Sequence, residues 1–441
     1  MALFGTSGIR GKYGEKITPE LAIEVGKALG TYMKAGRIAV ATDTRTSGET
    51  LKLAFISGLL STGAQVLDIG CATTPTLAIA AKNHADAGAM ITASHNPAEY
   101  NGIKLWQKNA MSFLPSQEKE IERLVEKKAY KNAKWSEIKP VERMDAAREH
   151  IELIKANVEM KKPLKVVIDC ANGPSVHITP YLFREMGCKV TTMNSNPDGF
   201  FPGRNPEPNE ENLKDLIATV KATGADIGIA HDGDADRAVA VDKNGMISLD
   251  RQLALAVEYV LSKEKGNIVT TVDASMLIED TAKRYKAKVE RVKVGDVAVA
   301  EGIKNTKAIF GGEPCGAWIL PKASFCPDGP LSAAILAAAA SKWDLKKKLA
   351  EMGEYAVERE KIPCAEKDKE KIVAAVGKEI KKLKPTGISK IDGIRAEWKT
   401  MWVLVRASGT EPIIRITAEG KDKEKLKIIV AKIKGLVEKE C

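Results

Sequence analysis

Apolar and polar positions alternate in blocks along the chain. Arg37-Ile-Ala-Val-Ala-Thr42 is a short run of β type, followed by the polar Asp43-Thr-Arg-Thr-Ser-Gly48 and a helix-periodic stretch from Glu49 to Leu60. Lys165-Val-Val-Ile-Asp-Cys170 leads through Ala-Asn-Gly-Pro into a second amphipathic segment ending near Gly187. Asn267-Ile-Val-Thr-Thr-Val-Asp273 leads into a third, from Met276 to Tyr285. Strand, polar loop and helix in repetition predict several α/β units with parallel or mixed sheets. Such units present ligand loops at the carboxyl ends of their strands, beside helix N-termini.

The periodicity lapses at a few places. Charged residues fill 137–162 and close at Lys161-Lys-Pro163, while Asp250 precedes a long helix pattern from Gln252 to Leu261. Glu358-Arg-Glu-Lys-Ile-Pro363 reads as a connector. After it come a basic helix over 367–383, strand-like runs over 390–405, a Gly-rich loop at 406–412, a strand over 413–418 and a helix over 423–438. The expected fold is α/β, with three related units of mixed sheet and a smaller α+β unit at the C-terminal end.

Composition narrows the class. A chain of 441 residues exceeds one ordinary core, and 44% hydrophobic with 29% charged residues suits a soluble globular protein. The net charge of +10 comes from 68 basic and 58 acidic residues that interleave, as in Glu118–Lys128. This is the pattern of solvated helix faces rather than of a nucleic-acid patch, yet it suits a cleft that draws in small anions. Seven scattered cysteines without a C-x-x-C pair give neither a disulfide framework nor a zinc site, so the cytoplasm is the expected compartment. No signal peptide is expected at the N-terminus, and the alanine-rich run 333–340 is far short of the ~20 residues of a membrane span.

The sharpest chemistry lies in Ala230-His-Asp-Gly-Asp-Ala-Asp-Arg237. Asp232, Asp234 and Asp236 alternate on a loop after an apolar strand, and such carboxylates can converge on one hard cation such as Mg²⁺. A calcium EF-hand is excluded, because Arg237 stands where it needs glycine and Lys243 where it needs glutamate. The remaining alternative is a polar turn, although three like charges this close are costly without a counterion.

Ser94 stands in Thr92-Ala-Ser-His-Asn-Pro97. It can cap a turn, or carry a phosphoryl group that completes the coordination of a metal at 232, 234 and 236 while sitting among backbone N–H groups. A Ser-His hydrolase fits poorly, because His95 is the adjacent residue and no G-x-S-x-G elbow is present. Arg406-Ala-Ser-Gly-Thr-Glu-Pro412, with Arg415 beyond, offers backbone donors, hydroxyls and two arginines for a phosphate, or simply makes a tight hairpin. Gly311-Gly-Glu-Pro-Cys-Gly316 places Glu313 where it could accept sugar hydroxyls. Arg10 after a Gly/Ser-rich turn, Lys104 in Asn101-Gly-Ile-Lys104, and Lys293-Val-Gly-Asp296 complete the candidates.

Together these stretches resemble the α-D-phosphohexomutase superfamily. T-A-S-H-N-P, D-G-D-A-D-R, G-E-x-x-G and R-x-S-G-T-E-P occur in the family's order between Phe4 and Arg415. The resemblance implies four domains around a deep cleft. Residues 1–155 would carry the phosphoserine, 156–252 the metal, 253–362 the sugar and 363–441 the distal phosphate. Ser94 would donate a phosphoryl group to a sugar phosphate and take one back from a bisphosphate intermediate. Mg²⁺ would sit on Asp232, Asp234, Asp236 and an oxygen of Ser94, with a hexose 1,6-bisphosphate as activator. Arg10, His95, Lys104 and Arg237 would line the transfer site, Lys104 serving as general base. Lys293, Glu313 and Cys315 would contact substrate, and Arg406, Ser408, Gly409, Thr410 and Arg415 the phosphate that is not reacting.

The family's glucosamine and mannose enzymes commonly carry G-E-x-S-G-H in the sugar loop, whereas this chain has Cys315 and Ala317 there. Its opening Leu-Phe-Gly-Thr-Ser-Gly-Ile-Arg-Gly is more like that of phosphoglucosamine mutases than of bifunctional phosphomannomutase/phosphoglucomutases. The expected activity is interconversion of glucosamine 6-phosphate and glucosamine 1-phosphate. The same mechanism on mannose, glucose or pentose phosphates is the alternative. A metal-dependent sugar phosphatase and a non-catalytic phosphosugar-binding protein are the competing classes. The expected partner is a phosphosugar, without nucleic acid or membrane, and a homodimer is left open.

Overall fold

The computed structural model describes residues 3–5, 8–365, 367–408 and 412–440. The first sheet has six strands in the spatial order Ile9–Lys12, Tyr100–Gln107, Ala87–Ile91, Arg37–Thr42, Gln65–Cys71, Val141–Arg143. Ala87–Ile91, Arg37–Thr42, Gln65–Cys71 and Val141–Arg143 run parallel, and Tyr100–Gln107 returns antiparallel beside Ala87–Ile91. Arg37–Thr42 shows why helices cover both faces. Ile38 and Val40 pack with the helices Pro19–Tyr32 and Gly48–Leu60, whereas Ala39 and Ala41 face the helix Thr74–His84. A strand buried on both sides needs apolar residues at every position, and this run supplies them.

The second and third sheets repeat the plan. In the second, Lys189–Met193, Lys165–Asp169 and Ile227–His231 are parallel, and Ala238–Asp242 returns antiparallel to Ile227–His231. In the third, Val289–Val292, Ile268–Thr271 and Phe310–Gly312 are parallel, and Trp318–Ile319 returns antiparallel. The Ser94 loop, the aspartate loop and the Glu313 loop therefore occupy one topological position, each joining a strand of the parallel core to its antiparallel neighbour. The fourth sheet is wholly antiparallel, in the order Ala356–Pro363, Ile413–Gly420, Met401–Ala407, Ile394–Trp398, Gly387–Ser389. Its Ser408 loop also joins neighbouring strands.

Three helix starts share one local pattern. Thr18, Thr73 and Asp328 each accept a backbone N–H with the side chain, and a proline stands in the first turn of the helix that follows. The helix Gly329–Lys342, which holds the alanine-rich run, is almost wholly buried in a core shared by the second and third units. No helix among the described residues is long and apolar enough to cross a membrane.

Two expectations change. Glu358–Pro363 is no connector: the strand Ala356–Pro363 pairs along its whole length with Ile413–Gly420. Its charges and terminal proline mark a sheet edge, where one side meets water. The charge-rich segment 137–162, where the periodicity lapses, is itself structured. It holds the strand Val141–Arg143 and the helix Ala147–Asn157, whose His150, Ile151 and Ile154 form one buried stripe among charges. Residues 155 and 252, expected as boundaries, lie inside the helices Ala147–Asn157 and Leu249–Leu261.

Pro19–Tyr32 and Gly48–Leu60 touch backbone to backbone. A Cβ on Gly26 would stand 2.3 Å from the Phe55 carbonyl oxygen, and one on Gly58 2.3 Å from that of Ile23. Alanine normally favours a helix over glycine by about 1 kcal/mol. Here Gly26→Ala and Gly58→Ala are expected to lower stability by about 1–3 kcal/mol through overpacking. Gly435→Ala, at an exposed helical position with open space around it, is expected to raise it by about 1 kcal/mol. Urea unfolding of the three variants checks the opposite signs.

Candidate active site

Ser94 follows the strand Ala87–Ile91 in a left-handed conformation, φ +52°, and is 2% exposed. Its Oγ–H donates to Asp232 Oδ2 at 2.7 Å, across the junction between the first and second units. The approach needs glycine opposite, since a Cβ on Gly233 would fall 2.4 Å from the Ser94 carbonyl oxygen. Two backbone donors expected for a phosphate are used by the loop itself. Ser94 N–H donates to Thr92 Oγ1 at 2.9 Å, and Asn96 N–H to the Ala93 carbonyl at 3.1 Å.

Asp232, Asp234 and Asp236 each bring one carboxylate oxygen to within 4.8 Å of the others. Thr74, from the first unit, fixes Asp234: its Oγ1 donates to Oδ2 at 2.6 Å and its N–H to the Asp234 carbonyl at 3.0 Å. Lys104 Nζ lies 3.0 Å from both Asp234 Oδ2 and Asp236 Oδ2. Arg237 Nε donates to Asp232 Oδ2 at 3.1 Å, and its two Nη atoms fork onto Glu207 at 3.2 and 3.1 Å. His95 Nδ1 stands 3.8 Å from Glu207 Oε2, and Arg10 Nη1 donates to Asn96 Oδ1 at 3.3 Å.

The charges are unevenly shared. Burial works to raise Asp234, but Lys104, the Thr74 hydrogen bond and Arg10 outweigh it and hold the carboxyl well below its usual range. Burial and the neighbouring Asp234 push Asp236 up to about 7. Burial also raises Asp232, against the pull of Arg237. His95 is brought down to about 4 by burial and by the charges of Arg237 and Arg10, so it stands as neutral imidazole. Burial works against charge on Lys104, yet Asp234 and Asp236 raise it above its ordinary value. Held this way Lys104 is an ammonium, so the base role expected of it needs prior loss of a proton. As placed, it offers positive charge.

The residues fit a hard cation. All donors are carboxylate oxygens, and Asp234 Oδ1 is buried without a hydrogen-bond partner among the described residues. A divalent ion would relieve both this orphaned oxygen and the repulsion that raises Asp236.

The remaining candidates lie in the third and fourth units. Glu313 Oε1 accepts the Gly295 N–H at 2.9 Å, tying the sugar loop to the Lys293-Val-Gly-Asp296 turn. Burial, then Asp296 and Asp273, push Glu313 up to about 8. Burial also raises the Cys315 thiol, and Lys293 is exposed at its turn. Arg406 and Arg415 face each other in register on neighbouring strands. Asp392 Oδ2 accepts from Arg406 Nη1 and from Val294 N–H, each at 3.1 Å, which joins this hairpin to the third unit rather than to the Ser94 centre. Ser408 is buried, and Lys369 Nζ donates to its carbonyl. Gly409 and Thr410 lie outside the described residues. Thr74 and Glu207 were missed in the sequence. Thr74 looks like part of an ordinary helix cap, and Glu207 is one glutamate among several in Asn205-Pro-Glu-Pro-Asn-Glu-Glu211.

With this geometry in view, the chain matches four consecutive descriptions of one family. These are phosphoglucomutase/phosphomannomutase alpha/beta/alpha domain I over residues 1–132, domain II over 148–245, domain III over 248–359, and the C-terminal domain over 360–436. The chain belongs to the phosphoglucomutase/phosphomannomutase family. It is 47% identical over 443 residues to a probable phosphoglucosamine mutase of Pyrococcus abyssi, covering 98% of this chain and 97% of that one. It is 47% identical over 430 residues to another of Methanopyrus kandleri, covering 96% and 94%. A solved phosphoglucomutase/phosphomannomutase family protein of Burkholderia thailandensis superposes with a TM-score of 0.90 at 27% identity, over 100% of this chain and 97% of that one. The family resemblance read from the motifs and the α/β fold class read from the periodicity both hold.

Two predictions follow from the charges. Millimolar Mg²⁺ is expected to raise the melting temperature, an ion at about a hundred times its Kd adding about 2.7 kcal/mol. Asp236→Asn is expected to remove this response without destabilising the metal-free protein, while Asp234→Asn destabilises it through loss of the Lys104 and Thr74 contacts. Calorimetry with and without Mg²⁺ checks this.

Glu313 gives a pH signature. Its folded value of about 8 lies above its ordinary 4.5, so the folded state binds the proton more tightly. The resulting stability is complete below the unfolded value and is lost as pH rises toward about 8. Denaturant unfolding is expected to show this decline in the wild type and a flatter profile in Glu313→Gln.

Proposed function

We propose that the chain interconverts glucosamine 6-phosphate and glucosamine 1-phosphate, with Ser94 alternately holding and surrendering a phosphoryl group. One observation carries the reading. A buried serine hydroxyl lies 2.7 Å from the first of three convergent aspartates, with an ammonium and a guanidinium on the same cluster. Phosphoryl transfer requires positioning and charge neutralisation more than covalent help from the protein, and this centre offers both.

In the forward direction the C1 hydroxyl of glucosamine 6-phosphate attacks the phosphorus of phospho-Ser94. The P–Oγ bond breaks as the new P–O bond forms at C1, and the C1 hydroxyl proton ends on the released Ser94 Oγ. The resulting 1,6-bisphosphate turns end for end. Ser94 Oγ then attacks the 6-phosphate: the P–O6 bond breaks, O6 takes up the proton that Ser94 Oγ gives up, and phosphoserine and glucosamine 1-phosphate result. Asp232 Oδ2 already accepts the Ser94 hydroxyl hydrogen bond and is the atom placed to receive that proton. Lys104 and Arg237 offset charge on the phosphoryl oxygens, and Arg10 and neutral His95 line the entrance. Asp232, Asp234, Asp236 and an oxygen on Ser94 would hold Mg²⁺, which when bound neutralises charge on the phosphoryl group. A hexose 1,6-bisphosphate would prime the serine.

Glu313 and Cys315 with Lys293 would meet the sugar, and Arg406, Ser408, Gly409, Thr410 and Arg415 the phosphate that is not reacting. The choice of glucosamine is supported by relatives such as those of Pyrococcus abyssi and Methanopyrus kandleri, both named probable phosphoglucosamine mutases.

A coupled isomerisation assay on the 6-phosphates of glucosamine, glucose and mannose is expected to give the highest kcat/KM with glucosamine. Ser94→Ala is expected to lose at least about a thousandfold in kcat with an unchanged melting temperature. Release of inorganic phosphate as fast as isomer forms would make the protein a phosphatase instead.

A further inference from the structure

We propose that Arg45 is the positioning residue that holds Ser94 in its reactive conformation; this rests on the reading of Ser94 as the phosphate carrier. Arg45 is 2% exposed and lies on the loop after the strand Arg37–Thr42. Its Nη2 donates to the carbonyls of Ser94 at 2.8 Å and Asn96 at 2.6 Å. Its Nη1 donates to those of Pro97 at 2.5 Å and Tyr100 at 2.9 Å. Nε donates to Asp43 Oδ2 at 3.1 Å. A guanidinium has five N–H donors in one plane, and these five contacts use that number, four of them on the backbone of the Ser94 loop.

The other side of the Ser94 peptide is fixed by the same pair. Asp43 Oδ2 also accepts from Thr92 Oγ1 at 2.6 Å, and Thr92 Oγ1 accepts the Ser94 N–H at 2.9 Å. Ser94 is thus held at its carbonyl by Arg45 and at its N–H through Thr92 and Asp43. A left-handed φ costs a residue other than glycine on the order of 1–3 kcal/mol and persists only where its surroundings over-determine it. These contacts supply that constraint at Ser94 and so aim Oγ at Asp232.

The second unit covers the arrangement. The Phe201 ring centre lies 5.1 Å from Arg45 Cζ, and the chain at Gly199 approaches so closely that a Cβ would meet Thr46 N at 2.4 Å. Lysine cannot replace this arginine, because three donors at a point cannot satisfy four spread carbonyls and a carboxylate.

The test uses the full chain with Mg²⁺ and glucose 1,6-bisphosphate. Phosphate uptake is followed by intact mass, alongside kcat and KM for the sugar phosphate. Arg45→Lys is expected to lower kcat and the phosphorylation rate together by about a hundredfold, with KM within about threefold, as misplacement by about 1 Å can do. Low millimolar guanidinium is expected to restore part of the Arg45→Ala activity, and methylammonium none. Thr92→Val is expected to slow phosphorylation about tenfold or more, while Thr92→Ser keeps the wild-type rate.

A folded Arg45→Lys enzyme with kcat and phosphorylation within about threefold of wild type would overturn the proposal. So would a loss in apparent kcat that disappears once activity is scaled to the folded fraction. If the Arg45 variants do not fold, unchanged phosphorylation of Thr92→Val overturns it. Ser94→Ala, run in parallel, separates the two readings. Phosphate uptake or turnover by Ser94→Ala would refute the carrier role itself, whereas an inert Ser94→Ala beside a fully active Arg45→Lys refutes only the role of Arg45.

Discussion

Three carboxylates, each with an oxygen within 4.8 Å of the others and two of them wholly out of water, set the constraint that the centre answers. Like charges in such a place raise one another unless cations and hydrogen bonds surround them. The second unit supplies Arg237 and Glu207. The first supplies Lys104, Thr74 and the Ser94 hydroxyl. Neither unit alone completes the set, so the reactive centre and the junction between the units are one structure.

The fold makes this convergence repeatable. In each of three sheets a loop joins a strand of the parallel core to an antiparallel neighbour, and these loops carry Ser94, the aspartates and Glu313. Glycine at a close crossing lets two loops meet, with Gly233 against the Ser94 carbonyl. Lys104 belongs to the returning strand of the first sheet, opposite Met90 in register, so strand pairing rather than loop conformation delivers it to Asp234 and Asp236.

Much of this was legible in the sequence because it is local. Apolar runs without alternation mark buried parallel strands, and alternating aspartates mark a cation loop whichever elements surround them. What was not legible depends on partners distant along the chain. Thr74 acts on a residue 160 positions away, and Arg45 on a carbonyl 49 positions away. On the page Thr74 is the first residue of a capped helix and Arg45 one polar residue in a loop. The edge strand Ala356–Pro363 was hidden by its charges, since nothing local says that one side of it is paired. The protonation of Lys104 was equally hidden, because it follows from two carboxylates in another unit.

Phosphate on Ser94 and the three aspartates are proposed to form one cation site across two units. The most direct measurement is a crystal structure of the Ser94-phosphorylated protein with Mn²⁺ in place of Mg²⁺, its ion located by anomalous scattering. One peak is expected about 2 Å from an oxygen of each of Asp232, Asp234 and Asp236 and from a phosphoserine oxygen. A peak elsewhere, or an active enzyme whose Ser94 never carries phosphate, would contradict it.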